Sequence, residues 1–263
     1  VYRDRLSFFS SLRDKREKGQ GASNNGKQQN GLINLHASGY SRVAVENAVA
    51  LIDRASVGPD YLPSHAHADT LSFELSLFGQ RVIMNSGTSV YGVGEERQRQ
   101  RGTAAHATVI VDGENSSEVW GGFRTARRAR VFNCESEEQG GKVTLSACHN
   151  GYHRISGIPT HCREWQFFER SLIIKDRITG KGEHDIDVVF PLHPKVNVIN
   201  VDREMATLEV SRNEIKVGFD GIGFLELKKS TYHPEFGLSI ENHQLLYHLL
   251  GQLPVKISTR ICW

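Results

Sequence analysis

Apolar and polar residues alternate with a period of two along much of this chain. The cleanest stretch is Leu71-Ser72-Phe73-Glu74-Leu75-Ser76-Leu77, which predicts a strand with one face buried. Strand-like runs recur at Leu71–Phe78, Arg81–Met84, Ala107–Val111, Ala126–Phe132, Val143–Cys148 and Trp165–Phe168. They continue at Leu172–Lys175, Ile186–Phe190, Leu208–Val210, Phe224–Leu227 and Val255–Ile261. Turn formers punctuate them at Asp112-Gly113, Gly140-Gly141, Gly157-Ile158-Pro159 and Gly180-Lys181-Gly182. The segment Arg42–Asp53 fits two elements. Its alanines suit a helix, whereas Val43/Val45 and Val49/Leu51 suit a hairpin turning at Glu46-Asn47. No amphipathic helix longer than a few turns stands out. So many strands without intervening helices predict an all-β fold, a large antiparallel β-sandwich with under about a tenth of its residues helical.

The first 30 or so residues break this pattern. Arg13-Asp14-Lys15-Arg16-Glu17-Lys18, followed by Gly19-Gln20-Gly21-Ala22-Ser23-Asn24-Asn25-Gly26, has almost no large apolar residue and reads as a linker. Leu6, Phe8, Phe9 and Leu12 before it suit the tail of an upstream helical domain. The predicted division is therefore 1–30, linker or tail, and 31–263, sandwich. At 263 residues and 38% hydrophobic, the chain can bury a sizeable core. No apolar run approaches the roughly 20 residues that span a bilayer. The chain starts at Val1 without a signal-peptide core, so it is expected to be a fragment or processed product. A net charge of +2 gives no reason to expect nucleic acid. Cys134, Cys148, Cys162 and Cys262 lack C-x-x-C spacing, which argues against zinc ribbons and thioredoxin-like chemistry and leaves disulfides open.

Candidate chemistry concentrates just before the cleanest strand. Ser64-His65-Ala66-His67-Ala68-Asp69 puts three side chains that bind metals or move protons at alternate positions. A strand starting a few residues early would project all three from one face; the plainer reading is two surface histidines ahead of a strand. Downstream lie Asn85-Ser86-Gly87-Thr88 and a lone His106 that opens an apolar strand closed by Asp112-Gly113. Between them, Arg97-Gln98-Arg99-Gln100-Arg101, if extended, lines three guanidiniums along one face, with Arg124, Arg127, Arg128 and Arg130 nearby in sequence. Such a face suits carboxylates and sulfates, which accept two hydrogen bonds from one guanidinium; a solvated strand edge accounts for it equally well.

Taken in order, H-A-H-A-D-T-L-S-F-E-L, N-S-G-T, R-G-T-A-A-H-A-T-V-I-V-D-G and W-G-G-F-R resemble the C-terminal domain of the heparinase II/III family. These are polysaccharide lyases acting on uronic-acid polymers such as glycosaminoglycans or alginate. The strongest match covers about residues 60–130. A weaker likeness continues through His149-Asn150-Gly151-Tyr152, Phe190-Pro191-Leu192-His193-Pro194 and Tyr232-His233-Pro234-Glu235-Phe236-Gly237. The resemblance implies an α/α-toroid upstream, with this chain holding the sandwich. It implies that His65 is the catalytic histidine facing the cleft, and that His67, Asn85 and His106 bind a structural Zn²⁺. Asn85 departs from the family, where an aspartate is usual, and lacks the charge that helps neutralise zinc. Asp69 is then an orienting partner or a substitute ligand. A polar cluster holding the same loops together without metal is the alternative. The family's catalytic tyrosine belongs to the toroid. For Tyr40, Tyr61 and Tyr91, packed amphipathic tyrosine is the better reading.

The expected function is a lyase domain that contributes to β-elimination but is inactive without its toroid. Arg101 and Arg124 would hold the acidic polysaccharide, and the family implies the periplasm or cell envelope of a bacterium. A non-catalytic acidic-polysaccharide-binding or assembly module is the alternative. A metallohydrolase of the cupin or jelly-roll type explains the histidines but not the ordered set of blocks.

Overall fold

The computed structural model describes residues 30–59 and 61–263; the linker reading for residues 1–29 lies outside them. Strand accounts for 57% and helix for 4%, and every strand pair is antiparallel. Five strands form the first sheet in sequence order: β1 (Gly31–Leu35), β2 (Tyr40–Val45), β3 (Ala48–Asp53), β4 (Phe73–Leu77) and β5 (Gln80–Ile83). The hairpin reading of Arg42–Asp53 therefore holds, with Val45 facing Ala48 across the turn at Glu46-Asn47. A four-stranded sheet runs β17 (Phe224–Tyr232), β18 (Ile240–Gln252), β13 (Glu183–Pro191), β6 (Val109–Val111). The two are stitched together where Ile83 bridges Leu192 and the Met84 amide donates to Pro191 O at 3.0 Å.

An eight-stranded sheet packs against them. Its order is β14 (Asn197–Val201), β15 (Met205–Val210), β16 (Asn213–Asp220), β19 (Val255–Cys262), β12 (Ser171–Thr179), β11 (Thr160–Phe168), β10 (Lys142–His149) and β9 (Val131–Gln139). Alternation does the work that the sequence foretold: along β10, β11 and β12 every second residue is buried. Inward residues of all three sheets share one core, in which Phe190 meets both Phe73 and Phe219, and Phe219 stacks on Tyr247 at 4.7 Å. A small hairpin, β7 (Glu118–Trp120) with β8 (Arg124–Ala126), stands apart.

Several boundaries differ from the sequence reading. The run Ala126–Phe132 divides between the end of β8 and the start of β9, with Arg127 at positive φ between them. The strand after the His-x-His motif begins only at Phe73, because Leu71 sits at φ 59 and Ser72 turns back to Asp69. His65, His67 and Asp69 therefore lie on a loop. The arginine run is not extended either: Glu95–Arg101 is helix α1, with acidic residues in its first turn and basic ones in its last, as the helix dipole favours. A short 3₁₀ turn, Thr103–Ala105, follows and delivers His106. Cys148 and Cys162 face each other across β10 and β11 and form a disulfide.

Candidate functional site

The His-x-His loop is held by the element that follows the arginine run. The Ala68 amide donates to Arg101 O at 2.9 Å, the Arg101 guanidinium donates to Ala66 O at 3.1 Å, and Thr103 Oγ1 donates to Ala68 O at 2.9 Å. Arg101 also reaches Arg124 O and Thr125 Oγ1. Its side chain is fully enclosed, so the exposed arginine face expected from the sequence is not there: Arg101 acts as a strut behind the loop. Burial, and then repulsion from neighbouring Arg97, pulls its pKa down to about 10. Arg124, by contrast, is exposed on β8, and its side chain makes no hydrogen bond or ion pair among the described residues.

This clamp brings His67 against His106. Their Nδ1 and Nε2 atoms lie 3.3 Å apart. Two nitrogens bound at about 2.0–2.1 Å to a tetrahedral zinc would be separated by about 3.3–3.4 Å. On its other side His67 Nε2 lies 3.3 Å from Thr88 Oγ1, which accepts from Arg97. That arrangement lets His67 Nε2–H donate to Thr88 and turns the Nδ1 lone pair toward His106. Asn85 stands at the end of β5, its amide 3.4 Å from Glu74 Oε1, and its side-chain oxygen is buried without a hydrogen-bond partner. A buried carbonyl oxygen without a hydrogen-bond partner is a group that a cation can satisfy. The His67–His106 spacing and the Asn85 oxygen are each compatible with the ion that the resemblance implies. Asp69 is buried in the same loop.

His65 points the other way. It is exposed and meets the rings of Tyr91 at 5.5 Å and Phe123 at 5.9 Å, both edge-on. Arg97, itself buried, lays its guanidinium 5.2 Å from the Tyr91 ring and 5.9 Å from that of Phe123, while donating to Gly122 O. One chain of contacts therefore runs from His106 through His67, Thr88 and Arg97 to the aromatic rings around His65. Thr88 and Phe123 fell inside motifs that the sequence reading quoted, but nothing in their spacing marked them as partners of the histidines. Of the three tyrosines, Tyr40 donates to Asp53 at 2.8 Å, Tyr61 is 86% exposed, and Tyr91 is the hub of this cluster.

Behind the site lies a network the sequence reading did not find. Arg163 donates to Leu71 O and Ala107 O, fixing the residue that ends the His-x-His loop and the one after His106. It also makes a two-pronged pair with Asp176 at 2.7 and 2.9 Å. The Gly151 amide donates to His149 Nδ1, so His149 Nε2–H must donate to His161 Nδ1 and His161 Nε2–H to Asp176. All four side chains are buried. Burial lowers the pKa of both histidines, in His161 against the pull of Asp176. Burial alone would raise the Asp176 carboxyl, yet Arg163 and His161 outweigh it and hold it down at about 2.

A family model described as "Heparinase II/III-like, C-terminal" matches residues 27–259. The chain belongs to this family, as its C-terminal β-sandwich domain. The family is one of polysaccharide lyases. No curated protein matches the chain. Among solved structures it is similar to a heparinase III, with a TM-score of 0.72 and 16% identity over 98% of this chain and 41% of that one. Heparan sulfate lyase HepC from Pedobacter heparinus is similar at 0.73 and 14% identity, over 99% of this chain and 41% of that one. A more distant likeness is the 4-alpha-glucanotransferase of Thermococcus litoralis, at 0.53 and 13% identity over 89% of this chain and 39% of that one. At these identities likeness shows the fold alone. The chain spans about two fifths of the length of each.

A further group with metal-binding atoms, Asp185, Asp187 and His248, lies on β13 and β18. His248 Nδ1 bonds Asp187 at 2.8 Å and lies 3.2 Å from Asp185, which accounts for the cluster without an ion. No helix among the described residues is long and apolar enough to cross a membrane.

Proposed function

We propose that this chain is the sandwich part of a polysaccharide lyase that cleaves uronic-acid-containing polysaccharide by β-elimination. The observation that carries the proposal is His65: an exposed imidazole fixed on an aromatic rim and joined by continuous contacts to the His67–His106 pair. Elimination removes the weakly acidic proton on the carbon bearing the carboxylate and expels the 4-linked sugar oxygen. It needs that carboxylate neutralised, a base at the proton and an acid at the leaving oxygen. His65 takes part in neutralisation or proton transfer. Arg124, exposed and uncommitted, takes a carboxylate or sulfate in an adjoining subsite. Arg101 acts from behind, through Ala66 O. The remaining groups come from an upstream α/α-toroid.

His67, Asn85 and His106 hold a structural Zn²⁺ in this reading. The ion would cross-link the His-x-His loop, the end of β5 and the segment entering β6, keeping His65 in place. The Cys148–Cys162 disulfide supports an oxidising compartment, and with it the periplasm or cell envelope of a bacterium. One observation favours a second reading, a non-catalytic module that binds acidic polysaccharide: Asn85 brings no charge to the metal site.

Unsaturated uronate ends, read by ultraviolet absorbance from heparan sulfate, alginate and other uronate polymers, separate the two. The 263-residue chain alone should give little or no turnover. Joined to its upstream domain it should turn over, and His65→Ala should cut the rate by about 100-fold or more. Robust turnover by the chain alone, abolished by His65→Ala, would show the sandwich to be self-sufficient. A joined protein that binds these polymers but never cleaves them would establish the binding module.

A further inference from the structure

Four rings from four segments meet at the surface beside the site. His65 comes from the His-x-His loop, Tyr91 from the loop before α1, Phe123 from the β7–β8 turn, and Phe236 from the loop after β17. Tyr91 is the hub, with ring centroids 5.5 Å from His65, 5.7 Å from Phe123 and 5.1 Å from Phe236. Yet the rings are not withdrawn from water: Tyr91 is 43% exposed, Phe123 39% and Phe236 65%. Contiguous exposed aromatic area of this kind marks a binding surface.

The surface is built rather than incidental. The His233 amide donates to Ser86 O at 2.7 Å and the Gly237 amide to Ser89 O at 2.8 Å, tying the Phe236 loop to the Tyr91 loop. Gly122, at φ 75, lets the β7–β8 turn approach so closely that a Cβ there would lie 2.3 Å from Gly92 O. Arg97, buried beneath, spans the Tyr91 and Phe123 rings. Exposed His65 touches the Tyr91 and Phe123 rings, and exposed Arg124 is the residue after Phe123. Apolar rings with an imidazole against them and an exposed guanidinium next in sequence fit one ligand chemistry. The apolar C–H face of a pyranose lies on the rings while its carboxylate or sulfate meets the cations.

We infer that Tyr91, Phe123 and Phe236 form a stacking subsite for a sugar ring of an acidic polysaccharide, next to His65. This rests on the proposed function and adds what that reading lacks, an apolar contact that orients the sugar. Stacking and charge differ in their response to salt: the ion pair to Arg124 is screened as salt rises and the apolar contact is not.

The experiment measures affinities of the full chain for three probes, namely heparan sulfate, alginate and chondroitin hexasaccharides, at low and high salt. The proteins are wild type, Phe236→Ala, Tyr91→Leu and Arg124→Gln, each checked for wild-type circular dichroism and for mass by light scattering. For any hexasaccharide that binds, Phe236→Ala and Tyr91→Leu should each weaken affinity by about 3- to 10-fold at both salt concentrations. The loss in Arg124→Gln should shrink at high salt. If Arg124→Gln weakens binding while both ring variants bind as wild type, the subsite is overturned and the proposed function stands. If wild type binds none of the three, the subsite is overturned, and the proposed function is decided by the turnover of the joined protein. If the ring variants change the oligomeric mass and leave saccharide affinity alone, the rings belong to a protein interface and the inference is overturned.

Discussion

Two histidine clusters lie near the loop that ends at Leu71, and they are built on different principles. His149 and His161 lie in the core, each nitrogen matched to a donor or acceptor in a chain that ends on Asp176 and Arg163. His67 and His106 meet nearer the surface, nitrogen to nitrogen, and the side-chain oxygen of Asn85 is buried without a hydrogen-bond partner. The first cluster is complete as it stands, because every polar atom taken from water has been given a replacement. In the second, the two facing nitrogens stand at the separation that two ligands of one tetrahedral zinc would have. Histidine content is the same in both; a chain of contacts ending on a buried ion pair separates the scaffold cluster from the nitrogen-to-nitrogen contact of the candidate site.

The largest effect should come from breaking the complete cluster. Arg163→Met leaves Asp176 buried without its cation and removes the donors to Leu71 O and Ala107 O. Losing one partner of a buried pair costs about 3–5 kcal/mol, so urea unfolding should show a loss of that size. His65→Ala, an exposed change at the other cluster, should stay within about 0.5 kcal/mol of wild type. Equal stabilities for wild type and Arg163→Met would remove the network from its place as scaffold.

Acid should sharpen the same contrast. His149 and His161 have folded pKa values below the ordinary 6.5, so the unfolded chain binds protons that the folded one refuses. Their contribution is present above that value and is lost as pH falls below it. Asp176, held at about 2 against an ordinary 3.8, adds a second loss at lower pH. His184, raised by its bonds to Asp112 and Lys181 O although burial opposes them, works the other way, but it is a single group. The thermal midpoint should therefore fall continuously from about pH 6.5 downward, and His161→Gln should flatten the upper part of that fall. A midpoint independent of pH between 7 and 5, on the same scale as that 6.5, would contradict the neutral-histidine chain.

The sandwich was legible because alternation records which face of a strand is buried, and that holds strand by strand. The longest strand, β18, escaped because Ile240-Glu241-Asn242-His243-Gln244 opens it with polar residues at buried and exposed positions alike. The arginine run misled for a related reason: alternating Arg and Gln fits an extended face, but acidic Glu95 and Glu96 just ahead of it were the helix signal. The core network was written in the sequence and passed over. In Thr160–Phe168, His161 and Arg163 share parity with Trp165 and Phe167, so the period that buries the aromatics buries them too. The family blocks singled out His65, His67 and His106, which contacts through Thr88 and Arg97 join, whereas the Tyr91–Phe236 contact depends on a loop more than a hundred residues downstream, which no local pattern reports.

The smallest change should be the most telling about the His67–His106 cluster. Asn85→Asp replaces one amide nitrogen by oxygen and places a carboxylate where an unpartnered amide oxygen now lies, with Glu74 nearby on β4. Without metal, the two carboxylates repel and the variant should be slightly less stable than wild type. With zinc, an added full charge at ligand distance is worth more than the roughly 1.4 kcal/mol that a factor of ten represents, so affinity should rise by at least about tenfold. The thermal midpoint of the variant should then depend on zinc concentration more steeply than that of wild type, since only the folded state offers the site. Chelator competition gives the affinity and calorimetry the midpoint. Were Asn85→Asp to bind zinc no better than wild type, Asn85 would lie outside the coordination sphere, and the His67–His106 contact would be an ordinary hydrogen bond.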